Sequence, residues 1–266
     1  MNFYTEYKIK NCSRFINKIW CLDNSTGHKT IEGLNILPNG CFNIALLIGQ
    51  GAEVLLKDKS YDVDQGIYFC SQITKPVKLT LRENTQVILI QLHAWYFSYY
   101  DIIDYSNFID DISKSTIDDS LFNQHINLNS TSILQDTLEV VEKHHQNLEN
   151  LHPNQNPIEY ITHQIVKDKG NSKITDYINQ MSFSDRWIQQ RFKKSTGLTP
   201  KQFAKIIQLR DTVDQMAYDK EVNSFTSIGY KSGFNDQSHF IKNFRQYTDT
   251  TPSRFDPKNF VLSLKE

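Results

Sequence analysis

Gly233-Phe234-Asn235-Asp236-Gln237-Ser238-His239-Phe240 decides the fold of the C-terminal part of this chain. Upstream, Phe225 and Ile228 form an apolar i, i+3 pair suited to a short helix. Gly233 is expected to end that helix, because glycine takes the left-handed conformation at little cost. Asn235 is expected to cap the next helix, with Asp236 favourable against its N-terminal dipole. Phe240 and Phe244 then fall on one face at i, i+4. Gln237, Ser238 and Lys242 are expected off that apolar face, toward solvent or a groove. Thr251-Pro252 closes the unit. Two short helices joined by a tight glycine-containing turn describe a helix-turn-helix. The same physics also builds a plain helical hairpin.

A related pattern lies about fifty residues earlier. Ile174 to Ile178 reads as a short helix, with Met181 apolar near its end. Ser184 is a candidate N-cap, and Ile188 and Phe192 give the following helix its apolar pair. Arg186, Gln189, Gln190 and Lys193 project from its other sides. Gly197 is a stop signal, and Thr199-Pro200 opens a further helix as N-cap and first-turn proline. Ile174 with Ile228, Ser184 with Asn235, Ile188 with Phe240 and Phe192 with Phe244 recur in corresponding places, as in a degenerate repeat. Between the units, Phe203, Ile206, Ile207, Leu209, Val213 and Met216 keep helical periodicity from Pro200 to about Tyr218. Such a helix is roughly 28 Å long at ~1.5 Å per residue. It can hold two recognition helices near the ~34 Å repeat of the major groove.

These residues resemble the tandem helix-turn-helix domain of AraC/XylS transcription regulators. The resemblance extends over residues 158–257. It implies binding to the major groove of double-stranded DNA through Arg186, Gln189, Gln190, Lys193, Gln237, Ser238 and Lys242. The sequence departs from the family pattern in several places. Ile178 stands where a small residue is usual, and Ser182 and Asp249 where glycine is common. Gln190 replaces a frequent arginine, and Gly229 a usual alanine. The departures bear on the DNA sequence read more than on the fold.

Net charge is −1 overall, but its distribution is uneven. Residues 1–158 carry 12 Lys+Arg against 18 Asp+Glu, a net −6, whereas residues 159–266 carry 17 against 12, a net +5. The basic part is the part with the two units, as a phosphate-binding surface requires. No apolar run approaches a membrane span, and the first residues lack a basic-then-apolar signal, so a cytoplasmic location is expected.

Short β-type runs occupy the N-terminal part: Leu34 to Leu37, Phe42 to Ile48, Val54 to Leu56, Gly66 to Cys70, Val77 to Leu81 and Val87 to Leu92. Turn residues such as Pro38-Asn39-Gly40 and Gly49-Gln50-Gly51 separate them. Ile36 to Ile44 followed by Gln72 to Val77 resembles the cupin-like N-terminal domain of one branch of the same family, although a usual proline is missing near His93-Ala94-Trp95. Trp20, Tyr68, Phe69, Trp95, Tyr96 and Phe97 are candidates for a pocket lining or for plain core.

No H-x-H of a metal cupin occurs. Cys12, Cys21, Cys41 and Cys70 are 9, 20 and 29 residues apart, without the close pair of a zinc site. They do not resemble the four-cysteine, methyl-accepting zinc centre that some regulators with this DNA-binding domain carry. No cofactor and no catalytic residue is therefore assigned. His144-His145 would point to different sides of a helix.

The expected architecture is an α+β two-domain chain. A small β-rich cupin-like barrel or sandwich (1–129) precedes a linker helix and hinge (130–157), read from Thr131 to Leu151 and closed by Pro153 and Pro157. An all-α domain with two helix-turn-helix units joined by a long helix (158–266) follows. The expected function is transcription regulation, with a small-molecule effector in the N-terminal domain, RNA polymerase as a further partner, and a homodimer as one assembly. A rival reading is a cupin-like enzyme or metabolite-binding protein whose helical half mediates assembly.

Overall fold

The computed structural model describes residues 3–7, 14–99, 103–114, 127–130, 132–148, 156–171, 173–218, 233–234 and 236–262. The strands are β1 (Tyr4–Tyr7), β2 (Ile16–Asn24), β3 (Ile31–Ile36), β4 (Phe42–Gly49), β5 (Ala52–Leu56), β6 (Lys59–Val63), β7 (Gly66–Cys70), β8 (Val77–Leu81), β9 (Thr85–Leu92), β10 (Ile112–Lys114) and β11 (Phe260–Val261). The helices are α1 (Ile133–Leu148), α2 (Pro157–Lys167), α3 (Ile174–Ile178), α4 (Asp185–Thr196), α5 (Pro200–Tyr218) and α6 (Gln237–Thr248).

Two sheets build the β domain, in the orders β1-β2-β9-β4-β7-β10 and β11-β3-β8-β5-β6. Their facing sides share one core, with Trp20, Leu22, Ala45, Leu47, Val87 and Leu89 from the first sheet against Leu34, Val54, Leu79 and Leu81 from the second. Alternation places the other residues of the same strands on the opposite face. Ile19, Phe42, Ile44, Leu46, Ile88, Ile90 and Leu92 there meet Tyr96, Tyr105, and Ile133 and Val141 of α1. Both faces of β4 and β9 are therefore buried, which explains their unbroken apolar sequences.

All six strands expected from the sequence are present, most of them longer than read. Five others lay outside that reading. The largest is β2, the neighbour of β9, whose register shifts between Ile16 and Lys18. That irregularity breaks the apolar alternation by which a strand is recognised. Polar β6 is set by pairing with β5 rather than by its own pattern.

The helical domain has its own core of Ile158, Ile161, Ile165, Ile188, Phe192, Phe203, Leu209, Val213, Phe240 and Phe244. Leu37, Ala94 and Trp95 of the β domain belong to the same cluster. The two domains are thus joined by shared apolar packing. A correction concerns Pro157. It is not part of a free hinge but the first residue of α2, capped by Asn156, whose side chain accepts from Ile158 and Glu159 N–H. Pro153, His152, the far end of the expected linker helix, Cys12, and the Phe225, Ile228, Gly229 and Tyr230 helix lie outside the described residues, as do the side chains of His144 and His145.

Candidate nucleic-acid interface

α3 and α4 form the first unit with the expected boundaries. Ser184 Oγ accepts from Trp187 N–H at 3.3 Å and so fills one of the orphan donors at the start of α4. Gly197 ends α4 in the left-handed region at φ 80°. The turn between α3 and α4, which lacks the glycine, is made without any left-handed residue. Thr199 and Gln202 then cap α5 reciprocally: Thr199 Oγ1 accepts from Gln202 N–H at 3.2 Å, and Thr199 N–H donates to Gln202 Oε1 at 2.9 Å.

In the second unit, Gly233 has φ 79° and Phe234 is buried beside Phe240, ring centroids 5.1 Å apart. The N-cap of α6 is Asp236, one residue later than expected. Its carboxylate accepts from Ser238 N–H at 2.8 Å. Either residue type can cap, and the helix begins at Gln237, so Asp236 occupies the cap position.

The sequence-derived site residues divide by exposure. Ile188, Phe192, Ser195 and Thr196 form the buried side of α4. At ~100° per residue, Gln190 lies nearly opposite the centre of that side, with Arg186 and Lys193 both within about 60° on one side of it. All three are exposed, whereas Gln189 sits at the margin and is half-buried. On α6, Ser238 and Lys242 occupy the outward side and are exposed. Gln237 is exposed too, but by i, i+3, i+7 it shares the stripe of Phe240 and Phe244. It is open because it stands in the first turn, beyond the reach of the core.

The two helices are held apart by α5, whose Phe203, Ile206, Leu209 and Val213 are buried. Lys205 of α5 lies over the Phe234 ring at 4.0 Å. Burial lowers its ammonium to about 8, and neighbouring Lys201 adds to the shift.

The last turns of both α4 and α6 reach the β domain. A Cβ at Gly197 would stand 3.0 Å from the Tyr105 carbonyl oxygen, so this glycine permits the close approach as well as the turn. Arg191 Nη2 donates to the Ser98 carbonyl at 3.5 Å. On α6, the Tyr247 hydroxyl donates to the Pro38 carbonyl, and Lys75 Nζ donates to the Gln246 carbonyl at 3.2 Å. Gly40 lies against Phe203 and Ile207 of α5, where an added Cβ would be 2.7 Å from the Phe203 ring.

A buried polar cluster at the start of α2 was not legible in the sequence. Arg14 donates to both Glu159 oxygens, from Nε at 2.7 Å and Nη2 at 2.5 Å, and Tyr99 donates to the same carboxylate. Burial opposes the Glu159 charge, but its hydrogen bonds to Arg14, His163 and Tyr99 prevail and hold its carboxyl down at about 2. Trp95 lies between His93 and His163, with centroid separations of 4.1 and 4.2 Å. Burial, with the charge of His163 adding to it, lowers His93 from 6.5 to about 3.

The β domain has a cavity of about 90 Å³ lined by Trp20, Tyr68, Asn43, Cys70 and apolar side chains of both sheets. Of the six aromatic candidates, Trp20 and Tyr68 line it. Phe69, Tyr96 and Phe97 pack on the outer face of the first sheet, and Trp95 packs between the domains. Trp20 Nε1 is buried without a hydrogen-bond partner. Cys21, Cys41 and Cys70 are free thiols, each pushed up to about 12 by burial. Among the described residues, no three His, Cys, Asp or Glu side chains are grouped to hold a metal. No helix among them is long and apolar enough to cross a membrane.

Residues 177–257 match a protein family described as a helix-turn-helix domain. The chain is similar to the HTH-type transcriptional activator RhaS of Klebsiella pneumoniae (strain 342), 33% identical over 73 residues, or 27% of this chain and 26% of that protein. RhaS of Escherichia coli (strain K12 / DH10B) is 31% identical over 74 residues, 28% of this chain and 26% of that protein. The match thus spans about a quarter of these curated relatives. Among solved structures, ToxT from Vibrio cholerae covers 85% of this chain and 94% of its own, at 14% identity and a TM-score of 0.46. Capped α4 and α6 and the connecting α5 all lie within the stretch that matches the helix-turn-helix domain family, carried behind a two-sheet β domain.

Proposed function

We propose that this chain is a sequence-specific DNA-binding transcription regulator whose β domain takes a small-molecule effector. The observation that carries the reading is the pair of capped helices α4 and α6. Each has exposed polar side chains in its first turn, Asp185 and Arg186 on α4 and Gln237 and Ser238 on α6, and the 19-residue α5 lies between the two helices. Arg186, Gln190, Lys193, Ser238 and Lys242 read the major groove of duplex DNA from their outward sides. Gln237 enters end-on, and Gln189 works from the margin. Glutamine can pair bidentately with adenine, and lysine or arginine with guanine. The proposed regulator acts by occupancy, placing itself where it helps or hinders RNA polymerase, and it can do so as a monomer or a homodimer. The domain limits of 1–129, 130–157 and 158–266 belong to this reading.

The effector part rests on the cavity between the sheets and the unpartnered Trp20 indole N–H. At about 90 Å³ the cavity is smaller than the ~150 Å³ that admits benzene, so an effector must be slim or must open the two sheets. Fluorescence anisotropy of the full chain on random-sequence duplex DNA tests the DNA part. Neutralising ~6–10 phosphates predicts a fall in affinity of roughly 10³–10⁵ between 50 and 200 mM salt. Absence of binding at the low-salt end would refute it. A thermal-shift screen of compact apolar molecules with one hydrogen-bond acceptor tests the effector part, and Trp20→Phe should abolish any shift found.

A further inference from the structure

Phe183 and Trp187 stack face to face at the entrance to α4, with ring centroids 4.4 Å apart and planes 13° apart. Both are exposed, 44% and 40%, whereas Phe192, Phe203, Phe240 and Phe244 of the same domain are fully buried. Aromatic rings of this size are normally covered. The pair is also held in place. Ser184 fixes the Trp187 backbone, and Phe183 supports the indole from one side. The indole stands roughly 60° around the helix from Gln190, on the outward half. The contacts of α4 with the β domain at Arg191 and Gly197 lie further along the helix. Exposed Arg186 precedes it and exposed Gln190 follows it one turn on, so the indole lies at the edge of the proposed groove-facing surface, where a basic neighbour suits a polyanion.

We propose that Trp187, backed by Phe183, is a specificity-determining residue that packs its indole against the 5-methyl group of a thymine beside the base read by Gln190. The proposal rests on the DNA-binding reading above. In the major groove only thymine presents a methyl group, and apolar side chains read it by contact. A rigid, pre-stacked indole makes that contact at little entropic cost, since fewer rotatable bonds are frozen than for an aliphatic side chain of similar reach.

The test uses the full chain and a duplex selected from a random pool. Each thymine of the selected site is replaced in turn by deoxyuridine, which removes the methyl group and nothing else. Wild type should lose about four-fold in affinity at one such position, the worth of one buried methyl. Trp187→Ala should bind the thymine site at least as weakly as wild type binds the uracil site, and should no longer distinguish the two. Trp187→Phe should keep part of the discrimination, and Gln190→Ala should keep all of it. Circular dichroism of each variant confirms the fold. Equal wild-type affinity for all the uracil probes would overturn the proposal while leaving sequence-specific binding intact. So would full discrimination retained by Trp187→Ala. If Trp187→Ala binds every probe as wild type does but loses RNA polymerase recruitment, the patch docks protein and the thymine contact is wrong. Failure to select any duplex would remove the DNA-binding reading itself, and this inference with it.

Discussion

α4 and α6 are built alike but attached differently. Each is twelve residues long, capped by an oxygen side chain and closed by a left-handed residue. α4 ends at a glycine pressed on the Tyr105 carbonyl, between the turns at Tyr96–Tyr99 and Tyr105–Asn107. α6 ends at Asp249, exposed, and touches the β domain through Tyr247 and the carbonyl of Gln246. A displacement of those two turns therefore reaches α4 by direct packing. It reaches α6 through α5, through the shared apolar core and through the Tyr247 and Gln246 hydrogen bonds. The duplicated unit has one firmly seated copy and one lightly seated copy.

The largest expected effect comes from breaking the seat itself. Arg14→Ala leaves the Glu159 carboxylate, 7% exposed, without its cation. Loss of one partner from a buried pair costs about 3–5 kcal/mol. A fall in Tm of several degrees is expected, with the α4 end of the interface exchanging amide hydrogens before the α6 end. Uniform protection loss across both helices would erase the contrast.

Acid should weaken the same seat. His93 has its pKa lowered from 6.5 to about 3, so below pH 6.5 the unfolded chain takes up a proton that the folded chain refuses. Stability should fall from pH 6.5 downward. A second loss should follow as pH drops below about 4.5 toward 2, where Glu159, held at about 2, would be protonated. The groups facing His93 are His163 and, beyond it, Glu159 with Arg14. His93→Gln should flatten the upper part of the profile and leave the lower part. Melts from pH 4 to 8 that show the same slope for both proteins would contradict this.

The two left-handed caps give a paired test. Gly197→Ala should destabilise by about 1–3 kcal/mol, because alanine is strained at positive φ and its Cβ meets the Tyr105 carbonyl. Asp249→Gly, at φ 58° on α6, should stabilise by about 0.5–1 kcal/mol, since glycine relieves the backbone strain at this exposed position. Opposite signs in chemical denaturation support the contrast, and equal signs break it. The smallest effects concern base reading. Gln190→Ala should relax one position of a selected site by ~1–3 kcal/mol. Gln189→Ala, from its half-buried margin, should change the profile less, and a reversed order would move the reading face round the helix.

What was legible in the sequence is what short-range chemistry encodes. Ser184, Gly197 and Thr199-Pro200 fixed the limits of α4 and the start of α5, because caps and left-handed stops act over four residues. The second cap was displaced by one position, since Asn235 and Asp236 are both good caps and only the helix start separates them. β2 escaped because its irregularity at Ile16 and Lys18 hides the alternation. β11 escaped because two residues carry no pattern and depend on a partner more than two hundred residues away. The Arg14–Glu159 contact joins positions 145 residues apart, and no local signal announces it. The outward residues of α4 could be named from periodicity, yet their ranking, with Gln190 central and Gln189 marginal, needed the packed core. Trp187 carries no local sign of its exposure, because a tryptophan beside Ile188 reads as core.

The pairing of β11 with β3 has one more consequence. β11 comes from the end of the helical domain, and it runs parallel to the outer strand of the second sheet, with Phe260 opposite Asn35 and Val261 opposite Ile36. Asn35 Nδ2 adds a hydrogen bond to the Asn259 carbonyl at 2.8 Å. This short segment is the edge guard of β3. If the helical domain swings away from the β domain and takes β11 with it, a row of unpaired amides and carbonyls opens on β3, ready to template another chain. A fragment ending before Phe260 would carry that open edge permanently, so self-association is the expected signature of either event.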